Sequence, residues 1–200
     1  MGVLGEYLKT PLETPYWVVQ VNTQINTQTQ GQTPVTGGTP VMGETKLCTV
    51  FGEYRGTTHV KYVYVYFSTR RNKFIRPIRG SGDRVIGRYE YSLYPGSYVL
   101  IGYDYRAKEE PSRVVVAQIV TIDSNCNVHY GDATIIRFEN FEWLEKQDLP
   151  QMLKDIVNWA PGYHSRPNID FNKVYGGNDV QKLLEMIKQR VRITEGEEHE

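Results

Sequence analysis

The chain has 200 residues, and Lys+Arg and Asp+Glu both number 23, so its formal net charge is zero. That length suits one ordinary domain with extensions, and the balance argues against a dedicated nucleic-acid or membrane-surface protein, in which one sign dominates. No apolar run approaches the roughly 18 residues of a membrane span; the 15 tyrosines are the compositional outlier, a residue suited to strands and interfaces because its ring is apolar and its hydroxyl can stay wet.

In chain order, Met1-Gly2-Val3-Leu4-Gly5-Glu6 lacks the basic and long apolar regions of a signal peptide. It also places Glu6 where a myristoylation signal carries Ser or Thr. The expectation is a chain made and used without Sec export. Leu4 to Leu8, Pro11 and Pro15 lead into Tyr16-Trp17-Val18-Val19-Gln20-Val21, which reads as a strand. Residues 22–45 turn to Asn, Thr, Gln, Gly and Pro. Asn22 through Gln32 reads as polar on both faces of any strand, too little apolar surface to order itself. Residues 1–45 are therefore expected to be an N-terminal segment and an extended arm. That arm is expected to lie against other subunits, partly as a strand added to a neighbour's sheet.

Residues 46–138 alternate with period two and predict strands near 46–54, 59–69, 72–79, 84–94, 97–105, 113–122 and 127–138. Tyr89, Tyr91 and Leu93 alternate before Pro95-Gly96, and Tyr98 and Leu100 after it. Pro95 presets φ and Gly96 tolerates φ > 0, so the stretch Gly87–Tyr103 reads as a hairpin. Arg113 to Ile122 is apolar on both faces and reads as a central strand. In Val60–Phe67, Val63, Val65 and Phe67 share one face, while Tyr62, Tyr64 and Tyr66 share the other.

The run Gly80-Ser81-Gly82-Asp83, then Gly87-Arg88-Tyr89, then Leu93-Tyr94-Pro95-Gly96-Ser97-Tyr98-Val99-Leu100 resembles the carboxypeptidase regulatory-like domain. Val50-Phe51-Gly52-Glu53-Tyr54 and Val63-Tyr64-Val65-Tyr66-Phe67 fit that family's first two strands. The resemblance covers residues from about 46 to 136 and departs from the family in the basic 70–79 insert and the heavy use of tyrosine. It implies a prealbumin-like β-sandwich, related to transthyretin-like and collagen-adhesin B-type repeats, that serves as a binding and spacer module. It carries no catalytic residue onto this chain.

Residues 139–200 switch to helical periodicity. Phe141, Trp143 and Leu144 begin a short helix. Asp148 and Pro150 open a second, with Met152, Leu153, Ile156, Val157 and Trp159 inside. Asn178 or Asp179 is expected to cap a last helix with the stripe Val180, Leu183, Leu184, Ile187 and Val191. Glu195 to Glu200 is expected to be a solvated acidic tail.

Candidate chemistry is sparse. Asp123-Ser124-Asn125-Cys126-Asn127 spaces oxygen side chains as a Ca²⁺ loop does. It has Val128 at the sixth position and Thr134 at the twelfth, so a hairpin turn is the expectation. His129 near Asp123 and Asp132 has no nucleophile motif beside it, and a solvated or packed histidine is expected. The Gly80–Asp83 run lacks the Lys-Ser/Thr of a phosphate loop and reads as a strand turn. A bridge between Cys48 and Cys126 is geometrically allowed, but a chain that is not exported favours two buried, reduced thiols. No cofactor or metal site is read.

Two candidate interaction features remain. One is the tyrosine row Tyr62, Tyr64 and Tyr66, expected to receive the C-terminal helices, with an intersubunit face as the alternative. The other is the basic run Arg70, Arg71, Lys73, Arg76, Arg79, Arg84 and Arg88, opposed within its span only by Asp83. Its arginines are expected to pair with acids on the helices or neighbouring chains, then with an acidic protein partner, with nucleic acid least favoured. The expected fold is a mainly β, prealbumin/immunoglobulin-like antiparallel sandwich at 46–138 with a polar N-terminal arm and a helical extension at 139–200. The expected function is non-enzymatic assembly with other protein subunits. A virion component such as a phage connector, collar, ring or tail protein, assembled in the host cytoplasm, fits best. Its rivals are a glycan- or surface-binding module of an appendage, a cytoplasmic protein and, more weakly, an enzyme using the 123–132 region.

Overall fold

The computed structural model describes residues 18–26, 47–55, 60–76, 79–80, 86–106, 113–159 and 169–196. In chain order the strands are β1 (Val18–Asn26), β2 (Leu47–Arg55), β3 (Val60–Ser68), β4 (Lys73–Phe74), β5 (Arg79–Gly80), β6 (Ile86–Leu93), β7 (Gly96–Arg106), β8 (Arg113–Ile122) and β9 (Val128–Phe138). Three helices follow, α1 (Phe141–Lys146), α2 (Gln151–Trp159) and α3 (Gly177–Lys188), and then β10 (Arg192–Thr194).

The strands form a four-stranded sheet, β1-β2-β6-β5, and a six-stranded sheet, β10-β9-β8-β7-β3-β4. The sheets face each other across one apolar layer. Cys48, Val50, Tyr91 and Leu93 of the smaller sheet meet Tyr66, Tyr98, Leu100, Val114, Val116 and Ile135 of the larger. The larger sheet's other face carries Val65, Phe67, Val99, Ile101, Val115 and Ile136, covered by Leu144, Met152, Leu153, Ile156, Leu183 and Ile187. The result is three layers: sheet, sheet and helices. Because both faces of the larger sheet are covered, β8 reads as apolar throughout, and it lies as expected between β7 and β9.

The stretch around Pro95-Gly96 is not a hairpin. β6 pairs with β2 and β5, whereas β7 pairs with β3 and β8. Pro95-Gly96 carries the chain from one sheet to the other, and Tyr91 and Leu93 face Tyr98 and Leu100 across the layer between them. Alternation tells which side chains share a face but not whether two strands lie side by side or face to face. The Tyr98 hydroxyl donates to the Tyr94 carbonyl oxygen at 2.5 Å and closes the corner. The tyrosine corner of immunoglobulin-like sandwiches works in the same way.

The expected strand at 72–79 is also replaced. Lys73–Phe74 pairs with β3 in the larger sheet and Arg79–Gly80 with β6 in the smaller, so this segment changes sheets too.

The polar arm is corrected in part. Asn22 to Asn26 continues β1, which adds antiparallel to β2 of its own chain. Thr23 and Ile25 stand opposite the buried Val50 and Cys48 in the register, and Val21 stands opposite Gly52. The rest of the arm, 27–45, lies outside the described residues. Cys48 and Cys126 form a disulfide, with Cα atoms 5.5 Å apart and both side chains buried. The expectation of reduced thiols weighed compartment alone. The fold places the start of β2 beside the β8–β9 turn at ordinary bonding distance.

The helices form as expected, with different caps. Asn140 caps α1 by accepting from the Glu142 and Trp143 amides. Gly176, not Asn178 or Asp179, stands at the N-cap of α3 and has no side chain with which to cap it. The Asp179 carboxylate instead accepts the Gln151 amide at 2.9 and 3.0 Å, satisfying an orphan donor at the start of α2. Asp148 pairs with Lys182 and ties the α1–α2 connection to α3. Glu195 is not a free tail residue: its carboxylate accepts the Glu139 and Asn140 amides. β10 was not expected. It lies parallel to β9, a pairing that needs a long crossover, and the three helices supply it.

Candidate interaction surface

One end of the sandwich gathers the β3–β4 turn, the β6–β7 crossing and the β8–β9 turn. The register places Ser68 opposite Tyr98, Gly96 opposite Ile122 and Ile122 opposite Val128. β1 ends and β2 begins at this end too, with Asn26 opposite Leu47. The disulfide from Cys48 to Cys126 staples the two sheets here.

The β3–β4 turn is held from three sides. The Ser68 hydroxyl accepts the Arg71 amide at 3.1 Å, the Thr69 hydroxyl donates to the Ser97 carbonyl at 3.0 Å, and Asn72 takes φ 56°. Asparagine tolerates that left-handed conformation better than most residues. Arg70 and Arg71 project from the turn, exposed. They lie near enough to the Tyr98 phenol to lower its pKa, against the larger upward effect of burial.

The rest of the basic run is spread over other elements. Lys73 is half-buried in β4. The Arg76 guanidinium sits 5.2 Å above the Phe171 ring. Arg79 lies in the other sheet, opposite Glu90 in the register, and Arg88 stands opposite Glu53. The register therefore sets acidic positions opposite basic ones that sequence distance separates. Asp83 and Arg84 lie outside the described residues.

The tyrosine row divides. Tyr66 is 2% exposed and sits inside the sandwich, its ring 4.9 Å from Tyr91 in an edge-to-face contact. The helices pack on the opposite face, against Val65 and Phe67. Tyr66 is thus neither the seat of the helices nor a docking residue. Tyr62 and Tyr64 stand opposite Asp104 and Gly102 in the register, and their side chains lie outside the described residues.

The Asp123–Asn127 segment is a hairpin turn. The Asp123 carboxylate accepts the Asn125 and Asn127 amides, each at 2.9 Å, and its other oxygen lies 2.9 Å from His129 Nε2. The His129 contact, followed by the Asn127 amide, draws the Asp123 pKa down to about 2. Cys126 adopts φ 63° inside this turn, where the carboxylate fixes the backbone and the disulfide fixes the side chain. Among the described residues no group of three or more His, Cys, Asp or Glu side chains is placed to hold a metal ion.

A second polar cluster was missed. Asp155 projects from α2 into the helix layer and is 8% exposed. It accepts from Gln151 Nε2 at 2.9 Å, Lys173 Nζ at 2.5 Å and the Tyr175 hydroxyl at 2.6 Å. Burial, then the hydrogen bond to the Asp155 carboxylate, raises the Tyr175 phenol far above its ordinary pKa. Tyr175 also donates its amide to the Asn72 carbonyl at 2.8 Å, so the cluster runs from α2 to the basic turn. A signal existed: Asp155 falls beside Met152, Ile156 and Trp159 on the helical stripe, where a carboxylate must have partners.

No family model matches the chain. The chain is 23% identical over 128 residues to the uncharacterized protein ORF157 of Acidianus filamentous virus 1 (isolate United States/Yellowstone), covering 62% of this chain and 78% of that one. The solved structure of that ORF157 superposes with a TM-score of 0.55 at 19% identity, over 71% of this chain and 96% of the other. A lysine-to-alanine variant of ORF157 gives 0.54 at 20% identity, over 70% and 95%. The chain shares the fold of a viral protein.

Proposed function

We propose that this protein is a non-enzymatic structural component of a virion, built on a prealbumin-like sandwich and acting through contacts with other protein subunits. The observation that carries the reading is the shared fold with ORF157, which extends over 96% of that viral protein. The two ionic groupings that resemble reactive sites have architectural roles. Asp123 and His129 close a turn, and Asp155 anchors the 169–175 segment. What remains for function is surface: the exposed Arg70 and Arg71, suited to acidic partner side chains, and the sheet edges. The carboxypeptidase regulatory-like resemblance agrees with this reading, because that family is a binding and spacer module.

Quantitative mass spectrometry of purified virus particles tests the proposal. The chain is expected in particles at a fixed copy number relative to the major coat protein, and to remain after a high-salt wash. A chain found in infected cells but absent from particles would overturn it.

A further inference from the structure

Among the described residues four strands lie outermost in the two sheets, and three of them are short and carry a cation. β4 and β5 are two residues long and carry Lys73 and Arg79, and β10 is three residues long and carries Arg192. Short length and a cation are the ordinary defences of an edge strand against pairing with another chain. β1 has neither. It runs nine residues, Val-Val-Gln-Val-Asn-Thr-Gln-Ile-Asn, without a charge or a proline. Among the described residues no strand lies on its outer side. A bulge interrupts it between Val18 and Val21, and from Val21 to Asn26 the register is unbroken.

We propose that this edge pairs with the same edge of a second copy, antiparallel, about a two-fold axis through Thr23. The inference rests on the assembly role argued above and names its interface. Among registers that keep like faces together, the sequence favours this one. Antiparallel pairing keeps like faces together only when paired positions share parity. A two-fold centred on Thr23 sets Val21 opposite Ile25, Asn22 opposite Gln24 and Thr23 opposite itself. These are apolar–apolar, amide–amide and threonine–threonine pairs, favourable cross-strand neighbours. Moving the axis one half-step would set Val21 opposite Asn26 and Thr23 opposite Gln24, mixing the faces. An uncharged strand also has no like-charge repulsion against its own copy, and a two-fold contact of this kind is closed. The two four-stranded sheets would then run continuously through the contact.

The register gives a test by charge placement in the full-length chain, read by sedimentation equilibrium. The parent is expected to dimerise. Asn22→Lys combined with Gln24→Lys sets cations opposite each other twice across the two-fold. It should weaken the dimer by about tenfold or more, less so at high salt. Asn22→Lys combined with Gln24→Glu sets the new lysine of each copy opposite the new glutamate of the other and should restore pairing. Thermal melts check that both variants fold; if the doubly basic one does not, the mixed-charge variant is compared with Asn22→Lys alone and must pair more tightly. A parent dimer indifferent to both combinations, or a mixed-charge variant no better than the doubly basic one, overturns this interface while leaving incorporation into particles intact. A monomeric parent overturns it as well, because the edge then does not pair with a second copy.

Discussion

Gly96 has φ +153°, a conformation that side chains other than glycine's rarely adopt. A Cβ there would meet nothing nearer than the Tyr98 ring at 4.0 Å, so the cost of a larger residue is backbone strain, not crowding. Gly96→Val is expected to lower stability by about 1–3 kcal/mol. A thermal midpoint within about a degree of the parent would show that the sheet-to-sheet crossing does not need this conformation. The Cys48–Cys126 bridge spans 78 residues, which on a chain-entropy account stabilises the fold by about 4.5 kcal/mol. Reductant should therefore lower the denaturant midpoint of the parent and leave that of Cys48→Ala, already low, unmoved. Asp123 behaves differently because it titrates. Its pKa is held below the ordinary 3.8, at about 2, chiefly by His129, so its contribution is complete above the ordinary value and is lost as pH falls toward 2. The melting temperature of the parent should fall more steeply over that window than that of Asp123→Asn, and parallel curves would deny the carboxylate this role. The residues of this turn were legible in the sequence because Asx side chains in a short polar run cap their own backbone. The disulfide was not, since nothing local places Cys48 beside Cys126.

At the level of elements, the two longer helices and the central β8 could be read directly, because their periods depend on contacts within a few residues. Three features could not. β1 alternates Val21, Thr23 and Ile25 against polar neighbours, and a threonine in the apolar row hid the pattern. The β6–β7 and β4–β5 segments keep strand periodicity while changing sheets. β10 is three residues long and exists only because α3 returns the chain to β9. The interaction candidates fared unevenly for the same reason: Arg70 and Arg71 stayed on a turn, while Tyr66 was placed by packing that its own strand does not encode. The segment from Ile169 to Tyr175 has no regular structure and is anchored by Asp155 of α2. Asp155→Ala removes the acceptor from a buried Tyr175 hydroxyl and should cost about 1–3 kcal/mol. Lys173, half-exposed, can turn to water and adds little. Hydrogen exchange at Lys173 and Tyr175 should accelerate more than in α3; a uniform change would assign the loss to the whole layer instead of this anchor.

On the scale of the whole molecule, the stretches that read as arm, sandwich and helical extension share their interiors. β1 completes one sheet, β10 the other, and the helices cover a face that would otherwise be apolar and wet. That interdependence was invisible to composition, which changes sharply at 45 and at 139 while the packing does not. The bridge between β2 and the β8–β9 turn also divides the chain mechanically. If the molecule is held by its two ends, tension reaches the residues before Cys48 and after Cys126 and bypasses everything between them. The enclosed residues 49–125 add no length while the sulfurs stay joined. A single oxidised molecule drawn out with an optical trap should therefore lengthen less than a reduced one, by 78 residues at about 3.5 Å each, roughly 270 Å. Equal lengths would mean that the bridge does not form in solution. A protein closed in this way gives up only its margins as length to a pull, and the stretch that holds the exposed arginine turn stays looped between the sulfurs.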